Sequence, residues 1–400
     1  MSKSKLTVKY SSLMLVFLSA IFLYSSSTFL RTRYSFYLAV AAYLVFYVAS
    51  RSIGHKWRVN KMYVWGFFAA AASVMYYLVG ASDRLTTYLS GVIYIFFWAN
   101  VFFYLMDNYE RKTLVRFAVI NTVMLLASVI ITITVLTQYP LAARAINGLA
   151  EGITEADVAR YEAMGCGGFG FIYGFVIFSM GILSAIRVKE LTVKTKAFML
   201  LSYLVVFYMI FLAEFTTALL VSAIILMVTF VMGRKNASVG YLLIAVVAVM
   251  LALLSDRLLD ALYEISKTLD IKYLTNKLEM IIVSAAEQNT EDLKRISLYI
   301  NSIEGFLSNP LYGSGKAGGH SQILDTFSAI GLFAVPYVVL LLSAFKKMGE
   351  YIRSINIIVF SASVLFLATV NPFVDSTITS ISFMLTPLYL ALFAPKQKKA

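Results

Sequence analysis

The chain has 400 residues, 60% of them hydrophobic and 14% charged, with a mean hydropathy of +0.80 and a formal net charge of +13. Soluble domains cannot hide that much apolar surface, whereas a bilayer accepts it. The single cysteine, Cys166, excludes an intramolecular disulfide, and one cysteine with two histidines is too few for a His/Cys metal site.

The positive charge does not point to nucleic acid, because in a membrane protein the placement of charge matters more than its sum. Lys3, Lys5 and Lys9 precede the first apolar run. No small-x-small cleavage pattern leads into a soluble chain, so an uncleaved first transmembrane helix is expected rather than a signal peptide.

A helical span needs about 20 apolar residues. Twelve spans are predicted, near 10–25, 35–50, 62–80, 87–105, 117–137, 168–186, 197–213, 215–232, 238–255, 323–345, 354–370 and 376–394. The stretch from Ala197 to Met232 is too long for one helix, and its Glu-Phe-Thr-Thr break at Glu214 divides it into two joined by a tight turn. The expected fold is an all-α polytopic membrane protein, a single integral domain over 1–400. Two long external loops are expected, at about 137–167 and 256–322.

Charge placement gives the orientation. With the N-terminus in the cytoplasm, the inside segments hold Lys3, Lys5, Lys9, Arg51, Lys56, Arg58, Lys61, Arg111, Lys112, Arg116, Arg187, Lys189, Lys194, Lys196, Arg234, Lys235, Lys346, Lys347, Arg353, Lys396, Lys398 and Lys399. Of 21 acidic residues only Asp107, Glu110, Glu190 and Glu350 fall inside. Both termini are therefore expected in the cytoplasm. His55, among Lys56 and Arg58, reads as part of a surface charge cluster.

The second external loop opens with Leu258, Leu262, Ile265 and Leu269 at helical spacing, as in a helix lying on the membrane or roofing a cavity. Its second half is the richest segment in chemistry. Lys294 and Arg295 precede an amphipathic run through Ile296, Leu298, Ile300, Ile303, Phe306 and Leu307. Asn309-Pro310 marks a turn, Gly313, Gly315, Gly318 and Gly319 follow, and His320 stands just before the next span. From position alone, Arg295 reads as a solvated helix-face charge and His320 as a loop histidine bonded to backbone. A guanidinium can also grip a phosphate through two parallel hydrogen bonds, and a neutral imidazole can take a proton from a hydroxyl near neutral pH. The glycines can expose backbone N–H groups as an anion nest, without the fixed Gly-Lys-Ser/Thr of a Walker loop. Glu214, Asp325 and Asp375 are carboxylates at the membrane edge. The Gly165-to-Gly174 run opens a span, and its small residues permit close helix packing.

Taken together, Arg295, Asn309, Pro310, Leu311, Gly313, Gly315 and His320 resemble the signature region of the bacterial O-antigen polymerase and O-antigen ligase superfamily, which includes capsular polysaccharide polymerases. In that pattern an arginine opens an amphipathic periplasmic segment, Asn-Pro-Leu-x-Gly-x-Gly follows, and a histidine precedes the next helix. The span count, the inside termini and the two external loops match over essentially the whole chain; the signature covers about thirty residues. The resemblance implies a glycosyltransferase-C-like helical bundle in the bacterial cytoplasmic membrane, with its active site on the external side. It implies transfer of a growing glycan from undecaprenyl pyrophosphate to a sugar hydroxyl of a second lipid-linked repeat unit, with no metal or other cofactor. Arg295 would hold the pyrophosphate and His320 would orient or deprotonate the acceptor. Substrate contacts are expected from Lys294, Tyr299, Asn309, Gly313, Gly315, Lys316 and Glu214. The implied partners are the undecaprenyl-pyrophosphate-linked oligosaccharide, membrane lipid, a chain-length regulator and a flippase.

Two departures stand out. Family members often carry Ser-Arg at the turn where this chain has Glu214-Phe215-Thr216-Thr217, leaving Arg31, Arg33, Arg84, Arg144, Arg160 and Arg257 as candidates for a second phosphate-binding arginine. The common His-Asn pair is His320-Ser321 here. The competing readings are an O-antigen ligase, with lipid A-core as acceptor, and a polysaccharide transporter or flippase. The crowding of ionisable residues at the outer ends of the spans counts against transport.

Overall fold

The computed structural model describes residues 3–30, 35–56, 61–78, 85–146, 153–188, 191–213, 215–231, 263–264, 266–268, 275, 279, 291–315, 319, 321–371 and 375–393. Within them the chain is helical. The helices are α1 (Lys3–Ser26), α2 (Ser35–Ser52), α3 (Lys61–Leu78), α4 (Leu85–Asn108), α5 (Arg111–Gln138), α6 (Ala142–Ala145), α7 (Glu155–Ala163), α8 (Phe169–Ile186), α9 (Val193–Leu212) and α10 (Thr216–Val231). They continue with α11 (Glu291–Ser308), α12 (Gln322–Ile330), a 3-10 turn (Gly331–Ala334), α13 (Val335–Met348), α14 (Ser354–Val370), α15 (Ser376–Ser380), a π segment (Ile381–Leu385) and α16 (Thr386–Phe393).

The protein is a membrane-embedded helical protein. Among the described residues six stretches are long and apolar enough to cross a bilayer: Leu89–Asn108, Arg111–Gln138, Phe169–Ile186, Val193–Leu212, Gln322–Met348 and Ser376–Phe393. Ser11–Ser26, Val40–Ser52, Thr217–Thr229 and Ser354–Val370 are apolar but shorter. The stretch 238–255, and the apolar positions 258, 262, 265 and 269, lie outside the described residues. The division at Glu214 is present, since α9 ends at Leu212 and α10 begins at Thr216.

Two helices form the centre of the bundle. Every residue from Ser376 to Phe393 is buried, and α8 is buried along nearly its whole length. Lipid tails are as apolar as leucine, so packing between such helices rests on close fit and on polar links rather than on hydrophobicity. Glycine supplies the fit. A Cβ at Gly170 would stand 2.7 Å from the Asp375 Cβ and one at Gly181 3.0 Å from the Tyr389 Cβ, and Gly174 lies against Ile378 and Ile381. Gly170 and Gly181 thus let α8 lie close to the C-terminal helix. Hydroxyls supply the links: Ser376 Oγ and Thr377 Oγ1 donate to the Ser25 carbonyl at 3.1 and 3.2 Å, and Tyr389 and Thr122 share a 2.7 Å bond to α5. Helix α1 is thereby tied into the core.

The predicted span 323–345 is not one regular helix. Gly331 breaks it at φ +59°, a conformation open to glycine but strained for other residues. A Cβ there would meet the Pro310 carbonyl at 2.5 Å and the Gly313 nitrogen at 2.6 Å. The break lets the 309–313 turn close onto the backbone, and Leu332 N–H donates to the Pro310 carbonyl at 2.9 Å.

His55 is not a free surface charge. It is partly buried after α2, hydrogen-bonded to the Tyr104 hydroxyl, and its ring meets Tyr104 and Tyr109 at 5.5 and 5.6 Å. Tyr109 in turn donates to the Ser11 carbonyl at 3.0 Å, and Asn108 clamps the loop by accepting from Lys56 N–H at 2.8 Å and donating to its carbonyl at 3.0 Å. Partners about fifty residues away turned an apparent charge cluster into an aromatic lock.

Two outcomes follow from this packing. Gly170→Val drives methyl groups into the Asp375 side chain, and overpacking of this kind costs about 1–3 kcal/mol. The thermal midpoint of the detergent-solubilised protein should therefore fall, and an unchanged midpoint would contradict the close approach. Burial lowers the His55 pKa from its ordinary 6.5, so the unfolded loop binds a proton more readily than the packed one. The lock is therefore complete above about pH 6.5 and weakens as pH falls toward the lower folded value. Protection factors at residues 53–56, taken relative to the intrinsic exchange rate, should fall on acidification in the wild type, and His55→Phe should flatten that dependence.

Candidate functional site

The segment singled out in the sequence folds as a docked helix–turn–helix unit. Helices α11 and α12 run side by side in the same direction. Ser302 Oγ donates to Asp325 Oδ1 at 2.6 Å, Phe306 meets Phe327 edge-on at 5.6 Å, and a Cβ at Gly305 would meet Ser328 Oγ. Contacts thus advance in step along both helices.

A side chain at 305 would have to displace the Ser328 and Ser314 hydroxyls, and the turn explains most of the remaining motif. The Asn309 carbonyl accepts from Gly313 N–H at 2.7 Å, and its side-chain oxygen accepts from Tyr312 N–H at 3.4 Å. Gly313 has φ +75° and is buried; a Cβ there would stand 2.5 Å from the Ile330 nitrogen. Ser314 N–H then donates to the Ser328 carbonyl at 2.8 Å. Asn309 and Gly313 therefore build the turn and seat it on the α12–α13 break. Gly315 also has a positive φ of 70° and is exposed.

Two further ties hold the unit to the bundle. Tyr299 donates to the Val370 carbonyl at 2.8 Å, and Gln322 N–H to the Asn371 carbonyl at 3.0 Å, both at the end of α14. At the other end, the Tyr76 hydroxyl of α3 donates to the Tyr312 carbonyl and, at 3.1 Å, to that of Ile330.

Asp325 is the hub. Only 8% exposed, it accepts from Ser302 Oγ and, through Oδ2, from Ser321 N–H at 3.1 Å. Ser321 caps α12 by accepting from Leu324 N–H at 3.0 Å. The bond from Ser302 to Asp325, twenty-three residues away, left no mark in the sequence.

The backbone of Lys294 and Arg295 lies in α11. The side chains of both lie outside the described residues. Lys316, His320 and Glu214 lie outside the described residues, as do Arg31, Arg33, Arg84 and Arg257. Arg160 sits on α7, which a capping box of Thr154 and Asp157 starts. Bonding to Thr154 holds the Asp157 carboxyl below its ordinary range. The Arg160 guanidinium donates to the Tyr139 hydroxyl at 2.6 Å and lies 5.0 Å from the centre of that ring, so it is engaged at the end of α5.

Asp375 caps α15, accepting from Thr377 N–H at 2.7 Å, and stands against Gly170 near the start of α8. Among the described residues no group of three or more His, Cys, Asp or Glu could hold a metal ion. Compared with family models, with curated proteins and with solved structures, the chain matches nothing.

Asp325→Asn removes a charged acceptor from two buried donors and brings an NH₂ beside them. Hydrogen bonds to charged groups contribute about 1.5–3 kcal/mol. Amide exchange along α11 should accelerate by tenfold or more, and unchanged protection would show that Asp325 does not hold the unit.

Proposed function

We propose that this protein is a polysaccharide repeat-unit polymerase, a metal-independent membrane glycosyltransferase acting at the external face of the bacterial cytoplasmic membrane. It would carry twelve spans in a glycosyltransferase-C-like bundle. The observation that carries the reading is the unit just described. Of the residues that resemble the polymerase signature, Asn309, Pro310, Leu311, Gly313 and Gly315 lie in one tight turn that follows α11 and packs beside α12, a unit bonded to the ends of α3 and α14. A signature that was only a solvated loop would need none of these ties.

In the proposed reaction the donor is a glycan on undecaprenyl pyrophosphate and the acceptor is a sugar hydroxyl of a second lipid-linked repeat unit. The acceptor oxygen forms a bond to the anomeric carbon as the bond from that carbon to the pyrophosphate oxygen breaks. The pyrophosphate leaves with the electron pair, and the hydroxyl proton passes to His320 or to the departing phosphate. Arg295 stabilises the negative charge that grows on the leaving group, where preorganised electrostatics contribute most. Lys294 and Lys316 would add positive charge nearby, and Gly315 an exposed backbone.

Arg295→Ala should abolish chain extension while insertion stays normal. Arg295→Lys should rescue little, because a point charge does not reproduce the planar fork. Near-normal chain length in a well-expressed Arg295→Ala strain would contradict the assignment. For His320, a general base contributes about 10²–10⁴-fold, so His320→Gln should lose that much if the imidazole takes the proton. Nearly full activity in His320→Gln would leave His320 only a positioning role. In a deletion strain, loss of the long glycan ladder with one repeat unit retained is the polymerase outcome. Lipid-linked polymer beside bare lipid A-core would mean a ligase, and unflipped precursor a flippase.

A further inference from the structure

Helix α11 has three faces. Tyr299, Ser302, Gly305 and Phe306 face the bundle. Asn301, Glu304 and Ser308 are exposed and polar. The third face is exposed and wholly apolar: Ile300 is 46% exposed, Ile303 45% and Leu307 65%. Their spacing of three and four residues makes one ridge.

The turn prolongs this ridge. Leu311 and Tyr312 are also exposed, and Tyr312 stacks on Phe333, whose ring meets Tyr76 of α3 at 5.9 Å. Helix α3 turns Phe67, Phe68, Met75 and Leu78 outward in its own exposed apolar face. The ridge of α11 thus continues, through three aromatic rings, a surface that on a membrane protein faces lipid. Tyrosine and other aromatic rings at such a level mark the boundary between hydrocarbon and headgroups.

We propose that the Ile300–Ile303–Leu307 ridge of α11, with Leu311 and Tyr312, is a membrane-docking face whose occupant is the lipid of the adjoining leaflet. The polar face of Asn301, Glu304 and Ser308 then meets headgroups and water, the arrangement of an interfacial amphipathic helix. The consequence is positional: a helix anchored this way holds the residues on its bundle-facing side at headgroup depth, where the charged part of any lipid-linked ligand lies. The lipid face itself follows from exposure and continuity, and does not depend on the polymerase reading.

Nitroxide labels on cysteines introduced singly at Ile303, Leu307, Tyr312, Asn301 and Glu304 test it in phosphatidylcholine nanodiscs. Cys166 is buried and its thiol is pushed up to about 12, so it stays unlabelled at neutral pH. Labels at 303, 307 and 312 should collide with oxygen and exclude a water-soluble nickel chelate. Those at 301 and 304 should show the reverse. Equal nickel access at 304 and 307 would place the ridge in water and overturn the proposal. Exclusion of both reagents at 303 and 307 would mean that protein covers the ridge, a second copy or another segment of this chain, and would overturn it equally. The readout is lipid contact rather than turnover, so a failure of the polymerase reading leaves the result interpretable.

Discussion

The closeness of α8 to the C-terminal helix is the constraint on which the rest depends. In lipid there is no hydrophobic gain in bringing two apolar helices together, so the contact must come from shape and from hydroxyl bonds. Gly170 and Gly181 remove the side chains that would hold the two helices apart. The helix from Ser376 to Phe393 can then be buried entirely, with serine and threonine hydroxyls bonding to carbonyls of α1 and of its own turns. A π segment at Ile381–Leu385 sits in the middle of this buried helix. Because Asp375 lies both at the start of that helix and against Gly170, the same contact fixes the corner that follows α14.

From that corner the geometry passes outward. The end of α14 accepts from Tyr299 and Gln322, and the end of α3 donates to Tyr312 and Ile330. Asp325 locks the two helices of the unit together in between. A flexible loop could present an arginine to a phosphate only after losing its freedom on each encounter. Under the proposed function, a unit ordered before substrate binds would present its charge without that entropy cost.

Much of this was legible in the sequence, for physical reasons that can be named. Long apolar runs report spans because a bilayer leaves few other structures open. The division at Glu214 was readable because Ala197–Met232 exceeds one bilayer crossing. The break at Gly331 was not, since one glycine in an apolar run carries no sign that the Pro310 carbonyl will press on it. The partners of His55 and Asp325 were hidden for the same reason: each bond spans dozens of residues or joins separate elements.

The proposed transfer between two lipid-linked glycans can be reconstituted with purified protein in nanodiscs supplied only with an undecaprenyl-pyrophosphate-linked repeat unit. A ladder of longer lipid-linked glycans should form, with one undecaprenyl pyrophosphate released for each linkage formed. Release of undecaprenyl pyrophosphate without any product longer than one repeat, or no reaction until lipid A-core is added, would contradict it.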